Sequence, residues 1–147
     1  MVRLKDSLFV PGKRKAAPFP FVLEALAPLE PATRMMFGCW AVYVGERIVL
    51  MLRDRRTGTG DNGVWMATAI EHHASLRREF PSMRSVQIFV ERFGKKEIDW
   101  QVLPAGAEDF EQAALRACEL IMAKDPRIGK VPKGKDREAQ QKRRVSR

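Results

Sequence analysis

Apolar residues change their period several times along the chain, and each change predicts an element. Phe21, Val22, Ala25 and Leu26 recur at helical spacing ahead of Pro28, which predicts a short amphipathic helix over 19–27. Phe37, Cys39, Ala41 and Tyr43 then alternate with Gly38, Trp40, Val42 and Val44. Both sets are largely apolar, as in a strand that is covered on both faces or sits centrally. Gly45-Glu46 fits a two-residue turn, and Ile48–Leu52 forms the return strand. Residues 53–63 are polar and carry Gly58, Gly60 and Gly63, which predicts a loop before a third strand, Val64–Ala67.

Thr68 and Glu71 have the spacing of a capping box, opening a helix with Ala69, His73, Leu76 and Phe80 on one stripe and Pro81 just past its end. Val86, Ile88 and Val90 alternate with Gln87, Phe89 and Glu91, and Ile98, Trp100 and Val102 alternate with Asp99 and Gln101. This predicts a second hairpin, closed by Leu103-Pro104. Glu108–Ala123 predicts the longest helix, with acidic residues in its first turn and Phe110, Ala114, Ala117 and Ile121 on one face.

The order α-β-β-β-α-β-β-α predicts an α+β fold, a two-layer sandwich in which an antiparallel sheet of about five strands packs on helices. Its core would draw on Phe21, Leu26, Phe37, Leu50, Trp65, Leu76, Ile88, Trp100, Phe110 and Ile121.

Charge divides the chain more sharply than hydropathy does. Of the net +9, residues 1–15 contribute five Lys/Arg against Asp6, and residues 124–147 contribute ten Lys/Arg against Asp125, Asp136 and Glu138. The stretch between holds twelve basic and fourteen acidic residues, so the folded part is near neutral. The division predicts an extended basic arm over 1–18, one domain over 19–123 and a disordered basic tail over 124–147. Such tails attract polyanions by counterion release, here through Lys13, Arg14, Lys15, Lys130, Lys133, Lys135, Arg137, Lys142, Arg143 and Arg144. The plainer alternative is that they only keep the protein soluble. No apolar run is long enough for a bilayer, and Cys39 and Cys118 make no disulfide framework, so a reduced cytoplasmic setting is expected.

Two short motifs carry a resemblance. Met36-Phe37-Gly38, followed by Cys39, stands at the start of the first hairpin, and Leu103-Pro104 precedes the last helix. In this order the chain resembles the TfoX/Sxy N-terminal domain family over residues 19–123. The resemblance implies a compact α+β domain in transcription regulation, linked to natural competence and to a protein partner, with no catalytic residue to carry over. It differs from the named regulators, which carry a helical second domain where this chain has a basic tail. The motif residues Met36, Phe37, Gly38, Leu103 and Pro104 read as structural, with Phe37 in the core and Gly38 allowing close packing.

Candidate chemistry is sparse. Gly58-Thr59-Gly60-Asp61-Asn62-Gly63 spells G-x-G-x-x-G, yet it leads into a strand, whereas a dinucleotide site needs a helix there. Asn62-Gly63 more simply supplies positive φ to a loop. Arg53, Arg55 and Arg56 beside Gly58 and Gly60 could hold a phosphate, unless Asp54 and Asp61 neutralise them. His72 and His73 are adjacent and point apart on a helix, which predicts no metal site, and no cofactor is expected. Both cysteines read as buried small hydrophobes. Trp40, Trp65, Trp100 and Tyr43 read as core, with base stacking as the alternative.

The leading expectation is a non-enzymatic regulatory or interaction domain whose tails add non-specific nucleic-acid contact. The alternative is a small phosphorylated-ligand-binding protein using the 53–63 loop. A homodimer paired through an edge strand at Val86–Val90 is also open.

Overall fold

A computed structural model describes residues 16–132. Helix α1 (Pro20–Leu26) and a 3-10 turn at Ala27–Leu29 lead to β1 (Ala32–Met36), β2 (Cys39–Val44) and β3 (Arg47–Arg53). The loop that follows holds a 3-10 turn at Thr59–Asp61 and enters β4 (Gly63–Met66). A 3-10 turn at Ile70–His72 runs into α2 (His73–Glu79), then come β5 (Arg84–Ser85), α3 (Gln87–Phe93), β6 (Gln101–Pro104) and α4 (Phe110–Met122). The sheet is six-stranded with order β1-β2-β3-β4-β6-β5, and every pairing is antiparallel. The expected α+β architecture is present, with one strand more than expected.

The all-apolar strands are explained by burial on both faces. Val42, Leu50, Leu52, Val64, Met66 and Leu103 face one cluster with Val22 and Leu26 of α1 and Ala114, Ala117, Cys118 and Ile121 of α4. Their neighbours Cys39, Ala41, Tyr43, Met51, Trp65 and Val102 join a second cluster on the opposite face, with Val86 and the partly buried Phe89 and Trp100. Period 2 along each strand divides these residues between the two clusters. Phe110 locks α4 to the chain entering α1, its ring 5.0 Å from Phe19 and 6.3 Å from Phe21, both edge-to-face.

Several expectations are corrected. The first hairpin is two hairpins: Met36 pairs with Cys39, so Phe37-Gly38 is the two-residue turn between β1 and β2. Both turn residues have positive φ, +56° and +73°, the backbone that a tight antiparallel turn requires. Phe37 is therefore not core; it is 75 % exposed. Gly45-Glu46 does turn β2 into β3, with Val44 opposite Arg47.

The expected strand at Val86–Val90 is helix α3. Its period-2 pattern is short, and the same residues also fit a helix, with Val86, Val90 and Phe93 three and four apart. Tertiary contacts decide between the two. The Asp61 carboxylate accepts from the backbone N–H of Gln87 (2.8 Å) and of Ile88 (2.9 Å), while Gly94 ends the helix in the left-handed region. Ile88 is accordingly exposed rather than core, and Val86–Val90 offers no edge for a homodimer. The sheet's outer strands are β1 and the two-residue β5.

The Thr68 capping box does not form. A 3-10 turn intervenes, α2 has no side-chain cap, and the buried Thr68 hydroxyl finds no partner among the described residues.

Gly63 permits a close approach rather than a turn: at φ +143° its absent Cβ would stand 2.1 Å from the Leu103 carbonyl oxygen across the β4–β6 pair.

The folded body also runs past residue 124. Ile128 is buried, Gly129 donates to the Ala67 carbonyl (2.7 Å), and Lys130 forms an antiparallel bridge with Ile48. Arg127 fastens this strap to Asp125 (2.9 Å) and Glu79 (2.6 Å), and its guanidinium holds both carboxyls below the usual range. Among the described residues, no helix is long and apolar enough to cross a membrane.

Candidate functional site

The two faces of the sheet are not covered equally. On the second face, α3 and residues 94–100 cover only part of the sheet and leave an open groove of about 780 Å³. Trp65 stands between Phe89 (5.6 Å) and Trp100 (6.2 Å), and Phe89 continues the row to Phe93 (5.9 Å). The rim carries exposed Phe37, Ile70, Ile88 and Phe93, an apolar margin that folding leaves in water.

Four cations line the same groove: Arg53, Arg55, Arg92 and Lys95. Arg53 closes β3 and is only 4 % exposed. Its Nη1 donates to the Gly58 carbonyl (2.6 Å) and to Asn62 Oδ1 (3.0 Å). No carboxylate of the described residues lies within ion-pair distance of it. These two hydrogen-bond acceptors are neutral, an arrangement that leaves a buried guanidinium without the direct ion pair such groups usually have.

Arg55 rests against the β1–β2 turn. A Cβ on Gly38 would stand 2.8 Å from its Nη1, so the glycine clears room for the guanidinium. The loop is stapled beneath it by Asn62, whose amide oxygen accepts from Arg55 N (3.0 Å) and whose amide nitrogen donates to Arg55 O (2.9 Å).

The groove's acids are already engaged. Glu97 accepts from Arg77 (2.6 Å), and Asp99 accepts from Lys130 (2.8 Å). The Arg77 hydrogen bond holds Glu97 below the usual carboxylate range. Burial opposes ionisation of Asp99, yet the Lys130 hydrogen bond and charge leave its pKa lowered on balance.

His73 is buried behind this wall. Its Nε2 lies 3.3 Å from the Asp99 carbonyl oxygen, and its Nδ1 lies 3.3 Å from a Glu97 carboxylate oxygen, out of line for a hydrogen bond. His72 lies apart from it, 3.8 Å from Glu71.

Of the residues expected to form a phosphate loop, the structure brings Arg53 and Arg55 into the groove and leaves Arg56, Gly58 and Gly60 out of its lining. The carbonyls of the glycine-rich loop face arginines, Gly58 O on Arg53 and Gly60 O on Arg84. Asp61, 2 % exposed, makes its ion pair with Arg84 rather than with Arg53. It accepts from Arg84 (3.1 Å), caps α3, and takes the Trp65 indole N–H on its carbonyl (2.8 Å).

Of the tail residues, Lys130 belongs to the folded body rather than to a tail, through its bridge to Ile48 and its ion pair with Asp99. Lys13, Arg14, Lys15, Lys133, Lys135, Arg137, Lys142, Arg143 and Arg144 lie outside the described residues. Leu103 is buried in β6, and Pro104 ends that strand opposite Gly63.

Cys39 does have cationic neighbours, Arg53 and Arg55, but burial outweighs them and raises its pKa, so the thiol stays protonated. Cys118 is pushed up to about 11 by burial.

Sequence reasoning missed Arg92, Lys95, Phe89 and Phe93 as groove residues because it placed them on or beside a strand. The signal available was the run Phe93-Gly94-Lys95-Lys96, a helix end with a glycine stop and basic residues after it.

Comparison of the chain with protein-family models, with curated proteins and with solved structures gives no match in any of the three.

Proposed function

We propose that this is a non-catalytic binding domain whose ligand is a small amphipathic anion lying in the groove on the second face of the sheet. The observation that carries this reading is Arg53, a buried guanidinium with no ion-pair partner among the described residues, on a floor of aromatic rings. A ligand anion would pair with that guanidinium in a low-dielectric setting, while its apolar part would cover Phe89 and Trp100.

The non-catalytic part is supported by the occupied state of the other groups. Glu97 and Asp99 are held by Arg77 and Lys130, and burial keeps the Cys39 thiol protonated. Within a regulatory chain of the TfoX/Sxy kind, which the short motifs resemble, this domain would serve as the ligand-responsive part.

Calorimetric titration of the full chain with 1-naphthyl phosphate tests the reading. Binding that is weakened tenfold or more in Arg55→Gln, and abolished in Arg53→Gln, is expected. Wild-type affinity in both variants would refute it. Arg55 is exposed, so that variant tests charge without the risk of unfolding the sheet.

The segregation of charge favours a second reading for the tails, which is non-specific contact with nucleic acid. Binding of duplex DNA that falls steeply with salt, and is lost when residues 133–147 are deleted, would support it. Salt-independent binding would not.

A further inference from the structure

The β1–β2 turn has a backbone that suits Asn, Asp or Gly at its first position, yet a phenylalanine occupies it. Phe37 takes a left-handed conformation that L residues with bulky side chains avoid. It gains little burial in return, since its ring is three-quarters exposed. A residue that opposes local preference without a packing gain marks a place where contact with something else sets the choice. Among the described residues, Phe37 forms no ring pair with the Trp100–Trp65–Phe89–Phe93 row, so its face stays available on the groove's rim. Gly38 beside it seats Arg55 at the foot of the same turn. One turn thus sets an aromatic face and a guanidinium side by side over the groove.

We infer that Phe37 is a ligand-contacting residue that stacks on a planar ring, and that the ligand class is an aryl phosphate monoester with its phosphate on Arg53 and Arg55. The inference rests on the proposed binding function and narrows it to ring-bearing anions. Charge complementarity selects the occupant. Arg53, Arg55, Arg92 and Lys95 line the groove, and both acids there already have partners. A planar ring meets aromatic faces better than an alkyl chain of similar size.

The test compares 1-naphthyl phosphate with hexyl phosphate by calorimetry on the full chain, using wild type, Phe37→Leu, Phe37→Asn and Arg55→Gln. Wild type should prefer the naphthyl ester. Phe37→Leu and Phe37→Asn should weaken the naphthyl ester about fivefold to tenfold and change hexyl phosphate less than about twofold. Phe37→Asn should also raise Tm by about 2 °C by relieving the turn, a gain of stability with a loss of binding that a merely structural residue would not show.

Equal weakening of both esters would overturn the stacking role. So would unchanged naphthyl binding in the Phe37 variants; with Arg55→Gln still impaired, that result would leave the groove reading standing. No binding of either ester by wild type would overturn both. A dimer that becomes a monomer in Phe37→Asn would make the rim a self-association face and also overturn the inference.

Discussion

The two faces of the sheet use similar residues to opposite ends. The first face is closed: α1 and α4 cover Val42, Leu50, Leu52, Val64, Met66 and Leu103, and every one of these is buried. The second face carries Trp65, Met51 and Val102 at the same depth, but its cover is a seven-residue helix and an irregular segment. The buried polar groups Arg53 and Asp61 belong to the strand end and loop on that side: Arg53 ties the loop to itself, and Asp61 holds the partial cover in place. A closed apolar layer supplies stability, and a partial cover fastened by polar contacts leaves a surface that a ligand can use.

The largest effect should separate the faces outright. Leu50→Ala on the closed face removes a fully buried side chain and should cost about 2–5 kcal/mol. Ile88→Ala on the groove rim should cost under about 0.5 kcal/mol, since that side chain is exposed. Urea denaturation of both variants measures the difference, and similar losses would erase the distinction between the faces.

Asp61→Asn sharpens the comparison from the groove side. The carboxylate meets Arg84 and two backbone N–H groups from a buried position, so the variant should lose about 1–3 kcal/mol. Hydrogen exchange should quicken first in α3 rather than in α4. Uniform quickening would mean that the partial cover does not open on its own.

A smaller effect belongs to pH. Arg127 lowers the pKa values of Glu79 and Asp125 in the folded state. A lowered folded pKa gives stability that is full above the unfolded carboxylate range, about pH 4–5, and is lost as pH falls through the folded values. Arg127→Met should therefore destabilise by about 1 kcal/mol at pH 7 and by much less at pH 3. Urea midpoints at both pH values check this; an equal loss at both would mean that Arg127 acts by packing alone.

How much of this was legible in the sequence follows the same division. The α4 stripe, the Gly45-Glu46 turn and the doubly apolar strands were readable because period and turn chemistry are local, and the closed face is built from them. Helix α3 was not readable, because its cap comes from Asp61, twenty-six residues before Gln87. Phe37 was misplaced because hydrophobicity argues for the core, whereas Met36 pairing with Cys39 puts it at a turn. The arginines were identified, but their arrangement was not. Local sequence placed the arginines beside relaxed loop glycines, and only the fold shows that the glycine carbonyls hold Arg53 and Arg84.

The most direct test of the central claim is a two-dimensional NMR titration of the full chain with 1-naphthyl phosphate. The basic ends offer any anion an alternative place to bind, and the spectrum distinguishes the two locations. The account predicts the largest shifts at the Trp65 and Trp100 indole N–H groups and at the backbone of Gly38, Arg53 and Arg55, saturating together. Shifts confined to residues 1–15 and 133–147, with both indoles unmoved, would contradict it.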